Sequence, residues 1–171
     1  MRQRRLVGVL TAIAAVGAGM SAGVYLAFST FVTPGLREQP PRPAIGAMNA
    51  INRAAPQSPL LMLVLLGTGL LCVVLLIIGI VRHNESGAWW RMIGAVLYLL
   101  SVLILIGYHV PHNEQLMQVD PSDVANAEAI WNRFFSEWMV WNHLRTLTAT
   151  GGAVGFVVAL VGGAQRRPPL T

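Results

Sequence analysis

The sequence contains no lysine, and all 12 of its basic residues are arginine. It has one cysteine, Cys72, so it can close no internal disulfide and build no thiolate metal cluster. Charge of either sign is scarce, at 11% of 171 residues, where soluble domains carry about 25%. That shortage excludes an ordinary soluble enzyme. The 54% hydrophobic content excludes a disordered chain. The polar–apolar alternation of membrane-barrel strands is missing as well. No RNA- or DNA-binding pattern accompanies the net charge of +5, so nucleic acid is not an expected partner.

What remains is apolar and comes in four blocks. Leu6 to Leu36 is charge-free and apolar to about Phe31. Ala54 to Val81 is charge-free and apolar from Leu60. Met92 to Tyr108 is apolar almost throughout, and Thr146 to Gln165 is rich in Gly, Ala and Val. A helix rises about 1.5 Å per residue and the bilayer core is about 30 Å thick, so roughly 20 residues cross it. Spanning backbone must satisfy its own hydrogen bonds. The expected fold is all-α, a four-helix transmembrane bundle in one domain, 1–171, with spans at about 6–31, 60–81, 90–109 and 143–165. The first run is too long for a signal-peptide core and is expected to stay as an uncleaved span.

Arginine sets the orientation. An even number of spans puts the N-terminus, the 82–91 link and the C-terminal tail on one side. These carry Arg2, Arg4, Arg5, Arg82, Arg91, Arg166 and Arg167 against the single acid Glu85. The other side has Arg37, Arg42, Arg53, Arg133 and Arg145 with Glu38, Glu114, Asp120, Asp123, Glu128 and Glu137. The positive-inside rule then predicts a multi-pass protein of the cell membrane with both termini cytoplasmic. Two longer loops lie outside. In the first, Pro34, Pro40, Pro41 and Pro43 precede a short helix over 44–55. In the second, Pro121-Ser122-Asp123 is a helix-start signal, and no Gly or Pro follows until Gly151. The fourth helix is therefore expected to extend well beyond the membrane.

Polar side chains at membrane depth are costly and mark candidate sites. Here they gather at the outer ends of the helices: Ser29, Thr30 and Thr33; Asn49 and Asn52; Tyr108, His109, His112, Asn113 and Glu114; Asn142, His143 and Arg145. Trp131, Phe134, Phe135, Trp138, Trp141, Asn142 and Arg145 recur at three- and four-residue steps, a single helical stripe. It reads either as an interfacial tryptophan belt or as the wall of an aromatic pocket for a flat apolar ligand. His109, His112 and His143 with Glu114 contain donors for iron, copper or zinc. As general bases the same histidines need no metal, and Asn142 and Arg145 beside His143 can stabilise an anion. Arg145 also has a structural reading, an ion pair with Glu114 or Glu137. Asn49 and Asn52 either face the site or cap loop backbone. Proline at 111 predicts a helix end near His109. Gly17 with Ser21, Gly67 with Leu71, and Gly151, Gly152 and Gly155 have the spacing of close helix packing.

The segments Ala22-Gly23-Val24-Tyr25, Phe31-Val32-Thr33-Pro34, Met48-Asn49-Ala50-Ile51-Asn52-Arg53, Val110-Pro111-His112-Asn113-Glu114 and Trp138-Met139-Val140-Trp141-Asn142-His143-Leu144-Arg145-Thr146 stand in an order and spacing that resemble the anthrone oxygenase family. The last segment is the most specific. The resemblance implies a four-span membrane protein that oxidises polycyclic anthrones to anthraquinones with molecular oxygen, and it implies neither cofactor nor metal. His143 is then the expected base, with Asn142 and Arg145 as anion stabilisers. His109, His112 and Asn113 are the alternative set, and Asn49, Asn52, Trp138 and Trp141 are expected to contact substrate. A small apolar aromatic molecule and membrane lipid are the expected partners, with a homo-oligomer left open. The competing class is a non-catalytic membrane protein, either a small-molecule binder or a subunit of a membrane complex. A transporter lacks the expected inverted repeat.

Overall fold

The charge-free runs all form helices. The computed structural model of the protein describes residues 2–119 and 126–165. The long helices are α1 (Arg2–Arg37), α3 (Pro59–Val81), α4 (Ala88–Met117) and α5 (Ala127–Gln165), and a shorter α2 (Pro41–Ala54) follows α1. There is no strand among the described residues. All four long helices are apolar and long enough to cross a membrane, and the chain is a multi-pass membrane protein. At 39 residues α5 is about 58 Å long, nearly twice the bilayer core. The extension expected of the fourth helix is therefore present. The signal at Pro121-Ser122-Asp123 lies outside the described residues, as do Asp120, Arg166 and Arg167.

The prolines do less than their sequence positions predict. Pro111 does not end the third spanning helix at His109, and Pro34 does not open a loop. In both places a π turn comes first, at Phe28–Val32 and Leu105–His109. The N–H of Thr33 reaches back five residues to the Phe28 carbonyl, and that of Val110 to Leu105. Proline follows immediately each time. A proline ring clashes with the carbonyl four residues back and donates no hydrogen bond. The widened turn takes up that conflict, so α1 runs on to Arg37 and α4 to Met117. A third π turn, Leu63–Gly67 in α3, is held by Tyr98, whose hydroxyl donates to the Leu65 carbonyl at 3.0 Å and meets Ser21 Oγ at 2.8 Å.

Small residues bring the helices together. A Cβ on Gly94 would stand 2.9 Å from the Gly152 carbonyl oxygen, and one on Gly155 2.9 Å from Gly94 Cα. The backbones of α4 and α5 therefore touch where these glycines cross. The main core lies between α1, α3, α4 and α5 around Ala18, Cys72, Leu75, Tyr98 and Phe156. A second core, around Met48, Leu116, Trp131 and Trp138, packs α2 against the extensions of α4 and α5. The outer surface carries Leu6, Leu63, Leu70, Leu103 and Leu147 fully in the open, a lipid-facing coat. Arg82 Nη2 donates to Gln3 Oε1 (2.8 Å) and Ser86 Oγ to the Gly162 carbonyl (2.8 Å). The start of α1, the 82–87 turn and the end of α5 thus share one end of the bundle, the terminal end. The opposite, loop end carries α2 and the candidate residues.

Candidate functional site

Asn142 is the centre of the polar cluster. It is fully buried on α5 and donates through Nδ2 to the Tyr25 carbonyl at 2.9 Å and to Ser29 Oγ at 2.7 Å, both on α1. Its Oδ1 accepts from Arg145 Nε at 2.8 Å. Thr146 Oγ1 donates to the Asn142 carbonyl at 2.7 Å and lies 3.3 Å from Ser29 Oγ. Every polar atom of the Asn142 side chain is therefore engaged, and the amide can take only one orientation.

Arg145 has no carboxylate partner among the described residues. Only 6% of it is exposed, yet the ion pairs among the described residues are Arg82–Glu85, His112–Glu137 and Arg133–Glu137. The pairing with Glu114 or Glu137 read from the sequence does not form. Glu137 is held by Arg133 Nε at 3.1 Å, and Glu114 stands exposed. Instead the guanidinium carbon lies 4.2 Å from the centroid of the Tyr25 ring and 5.5 Å from that of Trp138. Two aromatic faces and one amide oxygen temper the charge without neutralising it. A buried cation in that state attracts an anion strongly.

His109 stands beside it. It is 0% exposed and packed edge-on to Trp138 with centroids 4.9 Å apart, and the same Trp138 ring faces the Arg145 guanidinium. Neither of its ring nitrogens has a hydrogen-bond partner, and the buried hydroxyls of Tyr25 and Thr33 have none either. His143 lies on the exposed side of α5, and its Nδ1 is 3.1 Å from Ser29 Oγ, the hydroxyl that also accepts from Asn142. The cluster therefore reaches His143 through Ser29, and the buried His109 adjoins it through the Trp138 ring.

The aromatic stripe forms a filled column. Trp141 stacks on Tyr108 (4.9 Å), Tyr108 on His112 (5.0 Å), His112 on Phe134 (4.9 Å) and Phe134 on Trp131 (5.7 Å). Trp138 sits beside the column and donates Nε1 to Asn113 Oδ1 at 3.0 Å, joining α5 to α4. On α2, Asn49 donates to the Leu116 carbonyl at 3.3 Å, which is the capping use, because that carbonyl lies in the last turn of α4. Asn52 Nδ2 is buried without a partner. Beyond the column a cleft of about 300 Å³ opens between the extensions of α4 and α5, lined by His112, Leu116, Ile130, Arg133, Phe134 and Glu137 among others. His112 Nε2 lies 4.0 Å from Glu137 Oε2 there. Among the described residues no three His, Cys, Asp or Glu side chains converge, so the grouping of His109, His112, His143 and Glu114 does not form.

The family model described as anthrone oxygenase matches residues 47–155. The chain belongs to the anthrone oxygenase family. The matched stretch holds Asn49, Asn52, His109, His112, Asn113, Trp138, Trp141, Asn142, His143 and Arg145, whereas Tyr25 and Ser29 precede it. No curated protein and no solved structure matches the chain. Tyr25 is the member of this cluster that the sequence reading does not place among the candidate site residues. Its signal is the four-residue step to Ser29, which places both on one face of α1.

Proposed function

We propose that this membrane protein oxygenates a flat aromatic substrate of the anthrone type, with Arg145 holding the anion that forms. The observation that carries the reading is a buried guanidinium faced by rings and an amide but, among the described residues, by no carboxylate. An anthrone is apolar, planar and weakly acidic at the methylene opposite its carbonyl. Loss of that proton gives an enolate, whose oxygen suits Arg145. The enolate carbon gives an electron pair to oxygen, forming a C–O bond and, after protonation, a hydroperoxide. Loss of water then leaves the second carbonyl. One anthrone and one O2 become one quinone and one water.

His109 is the base in this reading, because it is buried against Trp138, the ring that also faces the Arg145 guanidinium. Asn142 fixes the guanidinium, and Tyr25 and Trp138 flank it. His143, tied to Ser29 and open at the surface, is the second choice. The excess of arginine at the terminal end supports cytoplasmic termini in the cell membrane, with the site toward the opposite face. The substrate can then arrive from the lipid.

The test is oxygen uptake by detergent-purified protein given a hydroxylated anthrone, with and without chelator. Uptake above the spontaneous rate, resistant to chelator and lost in Arg145→Gln and His109→Phe, is the expected result. Wild-type uptake no faster than the spontaneous rate overturns the reading, and saturable binding without uptake favours a binder. The cleft supports a second location for the chemistry, with His112 as base beside Glu137. Loss in His112→Ala with full activity in Arg145→Gln would move it there.

A further inference from the structure

At the terminal end, α4 begins with a second buried and unpaired arginine. Arg91 is only 6% exposed, no carboxylate among the described residues lies within ion-pair distance of it, and its Nε is buried without an acceptor. It belongs to the first turn of α4, and helical side chains lean toward the N-terminus of their helix. The groups that act on it electrostatically, Glu85 and Arg82, both lie on the turn before the helix, which puts the guanidinium on the side of the helix start. That start is uncapped. Its N-cap is Gly87, in the left-handed region at φ 79°, which offers no side-chain acceptor, and no acid lies in the first turn. Within the helix the amides of Trp89 and Trp90 have no carbonyl four residues back to receive them.

Gly87 is required here for a second reason. A Cβ would stand 2.5 Å from the Ala159 carbonyl, so the turn lies directly on α5. The charges nearby favour an anion. Arg82 is partly engaged by Glu85 at 3.5 Å and by Gln3, and Arg2, Arg4 and Arg5 stand exposed on the first turns of α1. Glu85 is the acid on this turn, and Arg82 holds it. Trp89 and Trp90 are exposed beside the site, as indoles at headgroup depth are.

We propose that the start of α4 binds a phosphate oxyanion through the Trp89 and Trp90 amides and the Arg91 guanidinium, supplied by a phospholipid headgroup or by free phosphate. Helix amides and a buried guanidinium are a strong pair of donors for this group, and the helix dipole adds to them. The site lies at the opposite end of the bundle from Arg145 and does not depend on the oxygenase reading.

Delipidated protein in neutral detergent is melted with phosphatidylglycerol, with diacylglycerol of the same chains, and with inorganic phosphate. Phosphatidylglycerol is expected to raise the wild-type melting temperature by several degrees beyond diacylglycerol, and Arg91→Gln to abolish that difference. Arg91→Lys, which keeps the charge and loses the planar fork, is expected to retain part of it. Arg53→Gln, an exposed arginine at the loop end, is expected to respond as wild type does. A phosphate response without a lipid one assigns the site to free phosphate. Equal responses to phosphatidylglycerol and diacylglycerol with none to phosphate, or an undiminished response in Arg91→Gln, overturn the proposal. If Arg91→Gln does not fold, a response in Arg91→Lys equal to wild type overturns it.

Discussion

Arg145 is held by Asn142 and, among the described residues, by no acid. The Arg145 Nε to Asn142 Oδ1 bond of 2.8 Å is the side-chain hydrogen bond that fixes the guanidinium, while Asn142 spends its two amide protons on α1. A neutral amide orients the cation without cancelling it. That distinguishes a residue kept ready for an anion from one that merely joins two helices.

Asn142→Asp puts a carboxylate in the same place. The new ion pair neutralises Arg145, and the bonds to the Tyr25 carbonyl and Ser29 lose their donor. Oxygen uptake is expected to fall by at least about tenfold while the protein still purifies as a folded monodisperse species. Loss of a preorganised anion donor elsewhere costs about 100- to 1,000-fold in rate. Retention of full uptake would show that the free charge of Arg145 is not used.

Arg145→Met separates activity from stability. Replacing a buried charge that has no described carboxylate with an apolar side chain of similar length removes a desolvation penalty, which offsets the cost of about 1–3 kcal/mol for leaving Asn142 Oδ1 without its donor. The melting temperature in detergent is expected to hold or rise as uptake disappears. A sharp fall in melting temperature would mark Arg145 as structural.

His109→Phe follows the same logic at the ring beside it. Phenylalanine can keep the edge contact to Trp138 and leaves no unpartnered nitrogens in the interior. Stability is expected to be unchanged or higher by thermal melting, with uptake lost, whereas His143→Ala is expected to lose less than half the rate. The reverse order of the two variants would return the base to His143.

Gly152→Val tests the α4–α5 crossing. A Cβ there would lie 3.0 Å from the Gly94 carbonyl oxygen, and the two further methyls have no room. Overpacking of this kind costs about 1–3 kcal/mol. A lower melting temperature is expected, checked against Gly19→Val, whose Cβ meets nothing within 4 Å.

Much of the fold was legible in the sequence because the membrane leaves so few options. The charge-free runs became the four long helices, and the unbroken stretch after Ala127 became the extended α5. The polar residues at the outer ends did meet, with Asn142, Arg145 and His109 in one cluster. The partners of Arg145 were not legible. An ion pair was the natural reading for an arginine near two glutamates, but Glu137 turns to Arg133 on its own helix one turn away. Nor was the fate of Pro34 and Pro111. Proline in a sequence signals a lost hydrogen bond, and nothing local says that the preceding turn has widened to absorb it.

Those widened turns carry a consequence for how the chain tolerates change in length. A π turn is an α-helix with one residue inserted, and one residue is about 100° of helical rotation. His112 and Asn113 lie beyond the insertion in α4, and Arg37 lies beyond that in α1. Deleting a single residue such as Gly107 would let the ordinary helix close up with everything beyond it still facing its present partners, because the wide turn already absorbs that angle. The half of the bundle near the termini would keep its packing. A deletion in the ordinary part of α4, with no wide turn to absorb it, would instead turn the α4 rings of the aromatic column away from those on α5.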